Sequence, residues 1–339
     1  MEQFQFSGKK VDVYFDADFS SIEEKLQRNG LIYITDENVY DAHRDKFSGK
    51  KSIIIKPGER FKNQQTVDSI IEQLIQLDAD RNSFMVGVGG GVVTDIAGYV
   101  ASVYMRGVKF GFAPTSILAM VDASVGGKNG IDVGVYKNLV GIINQPEFLL
   151  YDYSFLESLI HDEWVNGFAE IIKHSCIRDR EMFDQLKNFS VKKFQLSLSD
   201  TAAVIRRNVN IKYQIVANDE FETGDRKLLN FGHTIGHAIE NTTGLSHGKA
   251  ISIGMHAACR ISEVINNLNK QDTQEVIDLL QQYELPVSYQ FDKEETWKIL
   301  LHDKKKTGSK MNFVVLDSIG RASVKSIGLD QLHNIFNSI

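Results

Sequence analysis

Cysteine, proline and tryptophan are all scarce in this sequence of 339 residues, which holds two Cys, four Pro and two Trp. Cys176 and Cys259 are too few and too far apart for a disulfide framework or a cysteine-based zinc site, so they read as reduced and buried, and any metal must be held by histidine and carboxylate. No run approaches the roughly 18 apolar residues that a membrane span needs. Met1-Glu2-Gln3-Phe4 has neither the basic nor the apolar region of a signal peptide, so the expectation is a cytoplasmic protein with no membrane partner. An excess of basic charge is also missing. The 38 Lys and Arg against 44 Asp and Glu give a formal charge of -6, a field that repels nucleic acid and leaves any anion site to a local cluster. Low-complexity tracts and internal repeats are absent, and 42% hydrophobic residues are enough for a large core.

What is present is an alternation of short β-rich runs with helical stretches. Leu31–Thr35, Ser52–Ile55 and Ser83–Val88 read as buried strands, and Gln64–Leu77 repeats its apolar residues at helical spacing. This βαβ pattern predicts an α/β, Rossmann-like domain with a mostly parallel sheet, whose ligands sit at the carboxyl ends of the strands. From about residue 160 the pattern turns helical, over Trp164–Ile177, Thr201–Val216, Leu229–Thr242, Ala250–Asn267 and Thr273–Tyr283. Met311–Leu316 and Ala322–Ile327 read as a hairpin, and Asp330–Phe336 as a short closing helix. The expected organisation is an α/β domain over 1–159 and a mainly α domain over 160–339.

Two polar segments of the first half point to ligand binding. The turn Gly87-Val88-Gly89-Gly90-Gly91-Val92-Val93-Thr94-Asp95 follows a strand and opens a helix, where backbone N–H groups and the helix dipole favour phosphate. Its third glycine position is Val92, so it is an imperfect dinucleotide fingerprint, and a plain strand-to-helix crossover stays open as a reading. The second segment, from Pro114-Thr115-Ser116 to Asp122-Ala123-Ser124-Val125-Gly126-Gly127-Lys128, gathers a carboxylate, hydroxyls, glycines and a lysine.

The strongest signal lies in the second half. Three of the nine His, His233, His237 and His247, fall within fifteen positions. His233 and His237 are four apart and share a helix face, so spacing alone points to them as the pair that holds a metal. Glu170, Lys173 and His174 share a face at offsets of three and four. Two His and one Glu with an open position form a known catalytic zinc arrangement. Arg106, Lys128, Lys137, Lys173, Arg226 and the run Lys304-Lys305-Lys306 sit beside these segments and suggest an anionic substrate carrying phosphate or carboxylate.

Eight motifs, in order, are GGGVVTDIAGYVAS, MRGV, PTSILAMVDASVGGKNGID, KNLVGIINQP, GFAEIIKH, LNFGHTIGHAIE, HGKAISIGM and DKKKTGSKMNFVVL. On these the chain resembles the 3-dehydroquinate synthases over essentially its full length. The resemblance implies an N-terminal NAD domain, a C-terminal α domain carrying metal and substrate, a homodimer, and a site in the cleft between domains. Against the spacing reading, it places zinc or cobalt on Glu170, His233 and His247 and leaves His237 on the substrate side. For NAD it implies Asp36 and Asn38, then Glu59, Arg60, Phe61 and Lys62, and Gly91, Val92, Val93, Thr94 and Asp95 at the pyrophosphate. Thr115, Ser116, Lys128, Lys137 and Phe155, Leu156, Glu157 and Ser158 complete that set. For substrate it implies Arg106, Asp122, Lys128, Asn138, Lys173, Arg226, Asn230, His237 and a lysine of the 304–306 run, taken as Lys305. Thr94 stands where many members have glycine, and PGERFK begins with Pro57 where an acidic residue is commoner.

The activity implied is that of a carbon–oxygen lyase of the shikimate pathway, on the route to chorismate and the aromatic amino acids. It converts a sugar phosphate, 3-deoxy-D-arabino-heptulosonate 7-phosphate, to 3-dehydroquinate and phosphate. Related sugar-phosphate cyclases, such as aminodehydroquinate or 2-deoxy-scyllo-inosose synthases, and metal-dependent polyol dehydrogenases are the alternatives.

Overall fold

Seven strands of the first half pair into one sheet in a computed structural model that describes all residues except 29, 135, 302–305 and 339, with backbone alone for 306 and 307. The strands are β1 (Glu2–Gln5), β2 (Lys10–Tyr14), β3 (Ile32–Asp36), β4 (Lys51–Ile55), β5 (Phe84–Gly89), β6 (Lys109–Pro114) and β9 (Phe148–Leu150), and they run in the order β1-β2-β9-β6-β5-β3-β4. Only β1 with β2 is antiparallel; every other neighbouring pair is parallel. Such strands are covered on both faces, so they read as unbroken apolar runs, and all six residues of β5 are buried. One side of the core gathers Phe19, Tyr33, Phe47, Val86, Val88, Phe148 and Phe155. The parallel arrangement brings the carboxyl ends of β3, β4, β5, β6 and β9 to one edge, the place where open α/β sheets bind ligands.

A separate ribbon pairs β7 (Lys128–Val133) with β8 (Tyr136–Ile143). The sequence reading assigns no strand to either segment. The strand signal is weak because glycines at 126, 127, 130, 134 and 141 interrupt it, and because β8 lacks an apolar/polar alternation, being exposed at six of its eight positions.

The chain divides into two compact units, Met1–Glu163 with Ala202–Phe221, and Trp164–Thr201 with Glu222–Ile339. The expectation of a single crossing near residue 160 does not include the return of 202–221. Aromatic, hydrogen-bond and ion-pair contacts hold that stretch to the first unit. Tyr213 stacks on Phe4 with ring centroids 3.9 Å apart, Glu220 accepts from the Ser7 N–H, and Lys212 pairs with Asp122 at 2.7 Å.

The second unit is mainly helical. Its first helix, part of His161–Arg178, is buried from Trp164 through Ile177, so it has no solvent face from that point and carries Glu170, Lys173 and His174 into the interior. The His233–Thr243 and His247–Asn266 helices pack together, and β11 (Lys310–Ser318) lies against the latter. With β10 (Lys306–Thr307) and β12 (Arg321–Gly328), β11 forms a three-stranded antiparallel sheet that contains the expected hairpin. The expected helix over Leu229–Thr242 is instead a 3-10 segment, Asp225–Asn230, followed by the His233–Thr243 helix. Gly232, at φ +78°, breaks the two apart in a conformation that favours glycine.

Candidate metal and nucleotide sites

In the second unit, one carboxylate meets two imidazoles. Glu170 Oε1 lies 3.5 Å from His233 Nε2 and 3.4 Å from His247 Nε2. Glu170 and Lys173, three residues apart on one buried helix, form an ion pair in which neither side chain exceeds 1% exposure. Burial alone would push the Glu170 carboxyl up, but the Lys173 ammonium, then His233 and His247, hold it well below the usual carboxylate range. Burial, and then the charge of Lys173, pushes His233 down to about 3, leaving a neutral imidazole at neutral pH. Burial opposes charge on His247 as well, yet the neighbouring carboxylates of Glu170 and Glu240 push it up to about 9.

The donor atoms of Glu170, His233 and His247 all lie within 4.8 Å of one another, and so do those of His237, Glu240 and His247. Spacing alone pairs His233 with His237, whose ring centroids are 5.0 Å apart. Both triads include His247, which stands at the start of the next helix. Two imidazole nitrogens and a carboxylate oxygen are a donor set suited to zinc or cobalt.

How His247 reaches Glu170 is local. Asn166, one turn before Glu170, accepts a hydrogen bond from the Gly248 N–H at 2.5 Å. A Cβ on Gly248 would overlap the Asn166 backbone, so the approach of the two helices requires glycine there. Just upstream of His233, the 3-10 segment holds the buried Arg226, and Asn230 donates to Glu222 at 2.6 Å. Lys305 lies outside the described residues.

In the first unit, the residues expected at NAD collect at the carboxyl ends of the parallel strands. Asp36 ends β3 and caps the helix carrying Asn38, accepting from the Val39 N–H at 3.0 Å. Gly90 opens the Gly91–Val103 helix at the end of β5, and Thr115, just after β6, donates its N–H to the Gly89 carbonyl at 3.0 Å. Ser116 accepts from the Ala119 N–H at 3.2 Å. Beyond β4, the turn Glu59–Phe61 leads to Lys62, which pairs with Asp95 and donates to Asn138, both at 2.5 Å, while Lys137 lies 3.6 Å from Glu59. Burial opposes charge on Lys62, but Asp95 and then Glu59 raise its pKa and keep the ammonium charged. A hollow of about 290 Å³ is lined by Glu59, Arg60, Lys62, Asn63, Asp132 and Gly134.

Several expected residues play a different local part. Phe155 and Leu156, after β9, are buried, as is Val93, so their side chains belong to the core and only their backbones could meet a nucleotide. Glu157 is exposed, and Ser158 hydrogen-bonds His43 at 2.7 Å. Arg106 is exposed at φ +68°, and Lys128 is the exposed first residue of β7. Asp122 is half-buried on a short π-turn, where Lys212 donates to its carbonyl at 2.5 Å. Lys212, Glu222 and Glu240 are charged groups within these clusters that the sequence reading assigns no role. Lys212 and Glu222 sit in helical or turn segments with no motif of their own, Glu240 closes the motif LNFGHTIGHAIE, and only folding brings each to its partner.

The 3-dehydroquinate synthase N-terminal family matches residues 52–166, and the corresponding C-terminal family matches 167–306. A 3-dehydroquinate synthase of Leptospira interrogans is 37% identical over 325 residues, covering 92% of this chain and 90% of its own. One from Streptococcus thermophilus is 40% identical over 314 residues, covering 89% and 88%. A 2-deoxy-scyllo-inosose synthase, solved with carbaglucose-6-phosphate, NAD+ and Co2+, superposes with a TM-score of 0.87 at 24% identity over 99% of each chain, a likeness of fold. With both halves matched in order and relatives aligned over nearly the whole length, the chain belongs to the 3-dehydroquinate synthase family.

Proposed function

We propose that this chain is a carbon–oxygen lyase that converts 3-deoxy-D-arabino-heptulosonate 7-phosphate to 3-dehydroquinate and phosphate, with NAD and a divalent metal as cofactors. The observation that carries the reading is the set of buried Glu170 and His233 with half-buried His247, beside the Lys173 ammonium, within a chain of this family. Glu170, His233 and His247 would hold zinc or cobalt, since both imidazoles turn Nε2 to the same carboxylate. Bound there, a metal would supply Lewis-acid polarisation of a substrate hydroxyl, and NAD would supply a reversible hydride acceptor that is not consumed.

The chain's own residues bind, orient and exchange protons. Lys173 keeps Glu170 ionised and so ready to bind a cation. His237, its ring centroid 5.0 Å from that of His233 and half-buried, stands where it can exchange a proton with a substrate at the metal. Arg226, Asn230 and Lys173, with Arg106, Asp122, Lys128, Asn138 and Lys305, are assigned to the phosphate, carboxylate and hydroxyls, because charge-assisted hydrogen bonds grip such groups. The first N–H groups of the 13-residue helix that Gly91 opens suit a pyrophosphate. Lys62, tied to Asp95 and Asn138, joins the segment assigned to the pyrophosphate to a residue assigned to the substrate.

A homodimer in the cytoplasm is part of the same proposal. Among the described residues no helix is long and apolar enough to cross a membrane. Strand β8 exposes Tyr136, Leu139, Val140 and Ile142, an apolar edge suited to pairing with a second copy.

The test is phosphate release from the heptulosonate phosphate with metal and substoichiometric NAD, while NADH absorbance is followed. Many turnovers per NAD without net NADH are expected. Phosphate release from a hexose 6-phosphate alone would make the chain a sister cyclase, and steady NADH from a polyol would make it a dehydrogenase.

A further inference from the structure

We propose that Glu240 is a positioning residue for the metal, holding His247 from behind so that its Nε2 faces Glu170. The inference rests on the metal reading above. His233, His237 and Glu240 follow one another at intervals of four and three along the His233–Thr243 helix, which puts all three on one face. His247 comes to that face from the next helix, and its two ring nitrogens meet two different carboxylates. Nε2 lies 3.4 Å from Glu170 Oε1, and Nδ1 lies 3.5 Å from Glu240 Oε2.

His233 is arranged the same way. Its Nε2 lies 3.5 Å from the same Glu170 oxygen, and its Nδ1 lies 3.1 Å from the Phe231 carbonyl oxygen. Each imidazole thus offers Nε2 inward and turns Nδ1 toward an oxygen. An N–H on Nδ1 leaves the lone pair on Nε2, fixes the ring plane, and makes the ligating nitrogen more basic, more so against a carboxylate than against a carbonyl. Glu240 is therefore to His247 what the Phe231 carbonyl is to His233. It is buried, so its charge is not screened by water.

The competing role is direct ligation, since donor atoms of His237, Glu240 and His247 also come within 4.8 Å of one another. The His247 nitrogen that faces Glu240 is Nδ1, whereas the one that faces Glu170 is Nε2. The two roles separate on metal affinity.

The experiment strips wild type, Glu240→Gln, Glu240→Ala and His247→Ala of metal, then titrates each with Co2+ while following its d–d absorption, and measures Zn2+ affinity by chelator competition. Outer partners of metal-bound histidine are worth roughly 10- to 100-fold in affinity. Glu240→Gln, which keeps an acceptor without the charge, is expected near the lower end, and Glu240→Ala near the upper, with NAD affinity unchanged and the Co2+ band shifted. Rescue in the order Ala, Gln, Glu is a signature that a purely structural role would not give. Wild-type affinity in the folded Gln and Ala variants would overturn the inference and leave the metal reading intact. A loss equal to that of His247→Ala would make Glu240 a ligand and overturn it as well. Absence of metal binding by wild type would overturn both readings. Glu240→Gln is isosteric and carries the test should the Ala variant not fold.

Discussion

Asn166 accepts the Gly248 N–H at 2.5 Å, and so the helix carrying Glu170 holds the first turn of the helix carrying His247. The tie sits one turn from Glu170 on one helix and one residue from His247 on the other, so it sets the separation of two candidate ligands. Gly248→Ala places a methyl against the Asn166 backbone. Overpacking of this kind costs about 1–3 kcal/mol. The expected result is a lower unfolding midpoint for the metal-free protein together with weaker Zn2+ binding, measured by calorimetry and chelator competition. A variant that unfolds earlier yet binds Zn2+ as wild type does would separate the packing from the ligand geometry and refute the link.

His233 and His237 lie on one helix face but are assigned different work, and two alanine variants distinguish them. His233→Ala should lose both metal and activity. His237→Ala should keep its metal and lose roughly 100- to 10,000-fold in turnover, the usual range for a proton-transferring group. Metal content by atomic emission and phosphate release report the two properties separately. Normal metal content and activity in His233→Ala would refute the ligand assignment, and loss of metal in both variants would restore the pair that spacing suggests.

The contrast between those residues also measures what the sequence makes legible. The parallel sheet is readable because strands buried on both faces are unbroken apolar runs, as in Phe84–Gly89. The partnership of Glu170 with Lys173 is readable because an interval of three on a helix is a fixed geometry. Whether His233 works with His237 or His247 is not, since His247 belongs to the next helix, and the turn between them sets where its ring comes back. Its place in the metal set came from resemblance to known sequences. Lys212 and Glu222 were invisible for the same reason, their partners Asp122 and Asn230 being set by folding. The ribbon β7–β8 escaped detection because its glycines weaken the strand pattern, and the return of 202–221 to the first unit hangs on single side chains such as Tyr213.

Metal binding should strengthen as the solution becomes more alkaline. His247 is pushed up from 6.5 to about 9 in the metal-free protein, so at neutral pH it carries a proton that a metal ion must displace. His233, pushed down to about 3, is already neutral and adds no slope above that range. The apparent affinity is therefore expected to rise about tenfold per pH unit from neutrality to near pH 9 and then level, with about one proton released per metal. The sign for stability is the opposite. A folded-state value above the ordinary one stabilises the metal-free protein fully below about 6.5, and that contribution is lost as pH rises through about 9. Zinc titrations across this window, in buffers of different ionisation enthalpy, count the protons. A flat affinity would mean that His247 is neutral before the metal arrives.

Lys62 and Asp95 form an ion pair at 2.5 Å, with side chains 5% and 17% exposed, and removing either partner strands the other charge. Breaking such a buried pair costs about 3–5 kcal/mol. Lys62→Met should lower the unfolding midpoint and weaken NAD, because Lys62 holds Asp95, which lies near the start of the helix assigned to the pyrophosphate. The double variant Lys62→Met with Asp95→Leu replaces both charges by apolar groups of similar bulk and should recover much of the stability without recovering NAD affinity. Calorimetry and equilibrium NAD titration on the three proteins read the two effects apart. Restored NAD binding in the double variant would show that the pair supports only the fold, and the assignment of Lys62 and Asp95 to the nucleotide would fall.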